Sequence, residues 1–194
     1  MLLPDKPERR HNQGMTDAAF RIETARSTAD LAAITRLFEA YAASIGVDLA
    51  YQDFATELAT LPGKYAPPAG TLLLARNAAG EPLGCIALRP IAPEGCCEMK
   101  RLYVVPAARG LRLGRALVDA VIREAERIGY AEMRLDTLPT MTEAIALYRA
   151  AGFAPIAPYY DTPIVGTLFF ARPLRWRPAG DRRSGSKPHP EEER

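Results

Sequence analysis

The order of apolar patterns along this chain predicts an α+β (mixed α/β) fold, a single domain whose mostly antiparallel, twisted sheet of about seven strands is flanked by four helices. Three observations carry that expectation. Between residues 71 and 105 three strand-like segments follow one another directly, which suits a meander rather than a βαβ repeat. Two later segments with helical spacing each stop at a glycine, Gly129 and Gly152, as a left-handed helix cap would require. The chain has 194 residues, 48% hydrophobic and 25% charged, which is ordinary for one globular domain with a real core.

The elements follow in order. Residues 1–18 are polar and unpatterned and are expected to be a disordered leader. "FRIETA" (20–25) alternates as a short strand, and Leu31, Ile34, Phe38 and Tyr41 recur at helical spacing from Asp30 to about Ser44. "YQDFATELATL" fits a second short helix, and "PGKYAPPAG" is loop. "TLLLARN" and "PLGCIALRPI" read as strands joined through "AAGE", and "CCEMKRLYVV" is a third. A helix beginning near Gly114 places Leu117, Val118, Val121, Ile122, Ala125 and Ile128 on one face. "AEMRLDT" is the next strand, and a further helix carries Met141, Ala144, Ile145, Tyr148 and Ala151 on one side. "FAPIAPYYD" and "IVGTLFFARPL" close the fold as two strands, so the domain spans 19–174 and a charged, proline-rich tail fills 175–194.

Composition removes several function classes. The formal charge of +2 does not argue for nucleic acid or an anionic membrane. Cys85, Cys96 and Cys97 make neither a metal-ligand spacing nor an even disulfide set, which suits a reducing cytoplasm. No apolar run approaches membrane-spanning length. Both histidines, His11 and His189, lie outside the patterned body, so a Ser-His-Asp site or a histidine-ligated zinc there is excluded. Acid-base chemistry falls to carboxylates, tyrosines, lysines or backbone.

The stretch "VVPAARGLRLGRAL" carries the most chemistry. Arg109, Arg112 and Arg115 surround Gly110 and Gly114 where a helix begins. The first N–H groups of a helix lack partners and its dipole makes that end positive, while glycines let an anion approach the backbone. The stretch therefore reads as a phosphate cradle, or as a plain helix cap with solvated arginines. In the strand before it, Cys97 and Met99 share one phase of alternation and Leu102 and Val104 the other, with Lys100 and Arg101 between. A phase slip suggests a β-bulge that splays the strand and opens a slot; an edge strand with two exposed basic residues would look the same.

These residues together resemble a known family. "LYVVPAARGLRLGRAL", then "RLDT", then "AIALYRAAGF" is similar to the GNAT family of N-acetyltransferases, in element order from Phe20 to Arg172 and most sharply from Glu98 to Phe153. The resemblance implies a GNAT-like sheet splayed at the cofactor slot, with acetyl-CoA as co-substrate and no metal. It implies that Leu102, Tyr103 and Val104 hold the pantetheine arm. The pyrophosphate would rest on Gly110, Leu111, Arg112, Leu113, Gly114 and Arg115, with Arg109 heading the motif. Two positions depart from the family pattern, which has glycine at Arg112 and often asparagine at Met141.

The implied reaction is direct attack of an amine on the thioester, so the cysteines are structural. Tyr148 matches the family's tyrosine near the departing sulfur; its other reading is a core tyrosine. Glu98 and Asp136 are the candidate bases; alternatively Glu98 pairs with Lys100 or Arg101 and Asp136 caps the turn before the helix. Acceptor contacts are expected in "SIGVDLAYQDF", "LPGKYAPPAG" and "PYYDTP", whose aromatics could hold a cationic amine. The expected partner is a small-molecule amine, with no nucleic acid and no membrane, and family members are often homodimers. An inactive acyl-CoA sensor and a protein acetyltransferase are the competing expectations.

Overall fold

The computed structural model describes residues 19–175. The expected leader 1–18 and all but one residue of the tail lie outside them. Strand β1 (Arg21–Thr24) leads into helix α1 (Thr28–Ile45). The helix starts two residues earlier than its apolar spacing indicates because Ser27 and Asp30 form a reciprocal capping box, each accepting from the other's backbone N–H at 3.1 Å. Gly46, at φ +64°, ends it in the left-handed conformation. Helix α2 (Phe54–Ala59) is shorter than expected. A 3-10 turn at Ala50–Gln52 precedes it, and Asp53, at φ +55°, breaks the two apart.

Strands β2 (Thr71–Arg76), β3 (Pro82–Ile91) and β4 (Cys96–Val104) form the meander. Helix α3 (Leu113–Ile128) and strand β5 (Glu132–Thr137) follow, then helix α4 (Thr142–Ala150), β6 (Ala154–Ile156) and β7 (Leu168–Pro173). The two last strands are shorter than their apolar runs. Past Ile156 the chain meets Pro158, which has no N–H for a ladder, and Tyr159 and Tyr160 turn to pack edge-on against Phe169.

The seven strands form one sheet in the order β1-β2-β3-β4-β5-β7-β6. Every neighbouring pair is antiparallel except β4 and β5. Both faces of the sheet are buried. Leu73, Ala75, Ile86 and Leu88 join α3 and α4 in one apolar cluster, while Leu72, Leu74, Cys85 and Ala87 join α1 and Tyr65 in another. That is why "LLLA" and "CIAL" are continuous apolar runs rather than alternating ones.

The sheet opens in its middle. Strand β4 pairs with β5 only where Cys96–Glu98 meets Glu132–Arg134. Strand β5 keeps its pairing with β7 out to Thr137, whereas β4 stays with β3. Against β3, Cys85 pairs with Tyr103 and Ala87 with Lys100, leaving Arg101 and Leu102 opposite Ile86 alone. Arg101 stands at φ +59°. The phase slip in the sequence is thus a β-bulge, and it bends β4 away from β5.

Candidate active site

The bend leaves a groove of about 350 Å³ between β4, the start of α3 and the start of α4. Leu102, Tyr103 and Val104 line its β4 side. Among the described residues, no strand is paired to that edge of β4 from Met99 onward, so its backbone groups face the groove rather than a ladder. Arg109, Gly110, Arg112, Leu113 and Gly114 line the helix side.

The groove suits an extended ligand that ends in an anion. Arg112 is the N-cap of α3 and makes no side-chain cap bond, so the first-turn N–H groups have no capping acceptor. Where a Cβ on Gly110 would stand there is no atom within 4 Å, leaving room for an anion against the backbone. Arg109 and Arg112 bring two guanidinium groups to the same wall. Arg112 adopts φ +57° and ψ 18°, a geometry that favours glycine. The departure from the family pattern is therefore a substitution in the side chain alone, with the backbone turn kept.

Two expected members lie elsewhere. Leu111 is 43% exposed and does not line the groove. Arg115 turns along the helix instead, with Nε 2.9 Å from Asp119 Oδ1 and Nη1 donating to the Ala150 carbonyl at 3.3 Å. One turn of helix separates Arg115 from Asp119, and that local acid captures the guanidinium.

Tyr41, Leu102 and Met141 belong both to the groove and to a smaller cavity of about 40 Å³ beyond it. Asp136 from β5 and Tyr148 from α4 line this inner cavity. Tyr148 is 6% exposed and stacks edge-on with Phe153. Burial, with the nearby Tyr41 and the charge of Asp136, pushes its phenol well above the ordinary range. Asp136 accepts a 2.8 Å ion pair from Lys100 Nζ. The two sit two residues past Glu98 and Arg134, the last paired residues of the parallel ladder, so a side-chain bridge spans the fork where backbone pairing stops.

Glu98 is not in the cavity. It is fully buried, takes Arg89 Nη2 on Oε2 at 2.6 Å and Tyr159 Oη on Oε1 at 2.6 Å, and lies 3.9 Å from Lys100. Its hydrogen-bond partners are Arg89 and Tyr159, with the expected Lys100 completing an ion pair. Cys85, Cys96 and Cys97 are free thiols, and burial raises all three above the ordinary thiol range.

A network around Arg101 went unseen in the sequence. Its guanidinium makes two bonds to Glu57 of α2, at 2.9 and 3.0 Å, and Tyr65 Oη donates to the same carboxylate at 2.9 Å. A basic pair inside a strand with apolar residues on both faces was the available signal, since such cations must find buried partners.

The model of the acetyltransferase (GNAT) family matches residues 32–153. The chain belongs to the GNAT acetyltransferase family. It is an N-acetyltransferase, and acetyl-CoA is its co-substrate. An uncharacterised N-acetyltransferase of Schizosaccharomyces pombe is 42% identical over 155 residues, covering 80% of this chain and 95% of that one. Aminoglycoside N(6')-acetyltransferase type 1 of Klebsiella aerogenes is 36% identical over 113 residues, 55% of this chain and 74% of that one. A GNAT acetyltransferase of Staphylococcus aureus Mu50 superposes with a TM-score of 0.68 at 20% identity, covering 81% of this acetyltransferase and all of the other. Among the described residues, no helix is long and apolar enough to cross a membrane.

Proposed function

We propose that this acetyltransferase moves the acetyl group from acetyl-CoA to the primary amine of a small molecule, by direct attack within a ternary complex. The observation that carries the reading is the continuity of groove and cavity through Tyr41, Leu102 and Met141, with Asp136 and Tyr148 at the inner end. The co-substrate supplies an activated thioester; the chain positions it and handles the protons. The open edge of Leu102–Val104 hydrogen-bonds the extended arm as an added strand would. Arg109, Arg112 and the first turn of α3 hold the pyrophosphate.

An alkyl ammonium with an ordinary pKa near 10 has a neutral fraction of about one in a thousand at pH 7, a cost of about 4 kcal/mol. Asp136, whose Oδ1 lies 2.8 Å from Lys100 Nζ, takes that proton directly or through one water. Glu98 does not serve, because both its oxygens are already engaged in the buried network. As the new C–N bond forms and the C–S bond breaks, Tyr148 donates a hydrogen bond to the departing sulfur. Its raised pKa keeps the phenol protonated and so a donor.

The dimensions favour a small acceptor over a protein. A cavity of about 40 Å³ holds an amine and a short stem. Its charged lining is Lys100, Arg101 and Asp136, and with Glu57 neutralising Arg101 there is no excess of negative charge for a polycation. An acceptor with few positive charges is thus favoured, unlike the aminoglycosides named for the Klebsiella relative.

The reading is tested by titrating the protein with acetyl-CoA and then following thiol release over a panel of small primary amines. Tyr148→Phe should retain acetyl-CoA affinity within a factor of about three and lose about 10² in kcat, the scale of a removed donor. Acetyl-CoA binding with no release on any amine would instead favour the acyl-CoA sensor.

A further inference from the structure

We infer that Glu57 is a positioning residue: its buried pair with Arg101 holds the β4 bulge and thereby aims the open backbone edge of Leu102–Val104. The inference rests on the acetyltransferase reading of the groove and goes beyond the residues that line it.

Arg101 is the residue at which β4 bends, and it does so at φ +59°, a conformation disfavoured for any residue with a Cβ. Such a backbone persists only when its surroundings hold it. Here they hold both ends of the residue. The carbonyl accepts from Cys85 Sγ at 3.5 Å, and the guanidinium forms a two-pronged pair with Glu57. Both side chains of the pair are 2% exposed. Phe54 and Tyr41 place their rings 5.1 and 5.8 Å from the same guanidinium.

Three separate segments therefore converge on one bend: α2 through Glu57, the following loop through Tyr65, and β4 itself. An apolar contact would bury this site at less electrostatic cost, but it would not define direction. A two-pronged fork of fixed geometry does. Helix α2 has six residues and no side-chain cap, so the pair also ties this short element to the sheet. Tyr41, against the guanidinium, lines both the groove and the inner cavity. The pair thus sits behind the junction of the two compartments: Arg101 lines the inner cavity and packs against Tyr41, while neither Glu57 nor Arg101 lines the groove.

The test compares wild type with Glu57→Gln, with the double variant Glu57→Met/Arg101→Met, and with Tyr65→Phe. Each is examined by thermal melting, by acetyl-CoA titration, and by hydrogen exchange at the Leu102–Val104 amides. Glu57→Gln strands a buried guanidinium and can fail to fold; the double Met variant removes both charges, and such replacements are commonly tolerated. The expected result is a double variant that still melts cooperatively, with Leu102–Val104 exchange accelerated at least about tenfold. Its KM for acetyl-CoA should rise about tenfold while kcat at saturation changes less. Tyr65→Phe should move the same quantities in the same direction by a few-fold. A folded double variant with wild-type exchange and wild-type acetyl-CoA affinity overturns the inference and leaves the pair a plain structural contact. If wild type itself fails to bind acetyl-CoA, the acetyltransferase reading falls, while the exchange rates still decide whether Glu57 holds the bulge.

Discussion

Gly84 offers a way to move the groove-lining edge of β4 from behind without itself lining the groove. It lies on β3 directly across from Val104, and a Cβ added there would stand 2.6 Å from the Tyr103 carbonyl oxygen. The same atom would meet Leu117 Cδ1 at 3.3 Å and Val104 Cα at 3.4 Å. Ordinary contact begins near 3.4 Å, so the carbonyl must retreat by about 0.8 Å, the difference from 2.6 Å. Unlike a flexible side-chain tip, it is part of a ladder and cannot swing aside. Overpacking of this kind costs about 1–3 kcal/mol, and a main-chain obstacle puts Gly84→Ala near the upper end. For a chain of this size that is a fall in Tm of about 6–12 °C. Because Tyr103 and Val104 line the groove, acetyl-CoA should bind about tenfold more weakly, a difference of about 1.4 kcal/mol. Gly114→Ala is a control for stability alone, because Gly114 itself lines the groove. Its Cβ would meet Leu147 Cδ2 at 3.6 Å and Val104 Cγ2 at 3.9 Å, both ordinary contacts. In the first turn of a helix the change should stabilise by about 0.5–1 kcal/mol. Differential scanning calorimetry with and without acetyl-CoA reads both variants. A Gly84→Ala protein that melts within about 2 °C of wild type and binds normally would refute the claim that β3–β4 spacing sets this edge.

Three further outcomes are expected. Arg112→Gly relieves a left-handed conformation at φ +57° and should raise Tm by about 1–3 °C. It should also weaken acetyl-CoA binding about two- to fivefold and flatten its salt dependence, which calorimetry at two ionic strengths would show. Asp30 is held well below the usual carboxylate range by Arg76 and by the Ser27 cap. A depressed folded-state pKa contributes stability above the ordinary value near 4 and loses it as pH falls through the folded one. Asp30→Asn should thus be about 1 kcal/mol less stable than wild type at pH 7, the size of a cap, with the gap closing in melts carried below pH 4. Asp136→Asn and Glu98→Gln should separate cleanly: the first loses about 10² or more in kcat with its fold kept. The second loses about 2 kcal/mol of stability by breaking the pair between the buried Glu98 carboxylate and half-buried Arg89, seen as a lower denaturant midpoint.

Local chemistry was legible wherever it repeats along the chain. Helix α3 shows its buried stripe of Leu117, Val118, Val121, Ile122 and Ala125 in the spacing itself, and Gly129 marks its end at φ +106°. The phase slip between Met99 and Leu102 announced the bulge, because strand alternation has a period of two and one extra residue inverts it. The groove-facing residues were likewise legible, since a strand, a tight turn and a helix start are contiguous. The Arg115 guanidinium pairs with Asp119 instead of lining the groove, and that the sequence does not tell. Nothing in a motif says whether an arginine faces the anion or the aspartate one turn away.

The sequence by itself determined the order of strands and helices, the bend and the glycine-arginine turn before α3, since each is written in a short run of neighbouring residues. Only the tertiary structure decided which strand lies between β5 and β6, where β4 and β5 part, and which charges meet inside. Lys100 finds Asp136 across 36 residues, Arg101 finds Glu57 across 44, and Tyr159 finds Glu98 across 61. Pairs so far apart leave no periodic trace. They are selected by the requirement that a buried charge have a partner, and that partner exists only once the chain has closed around it.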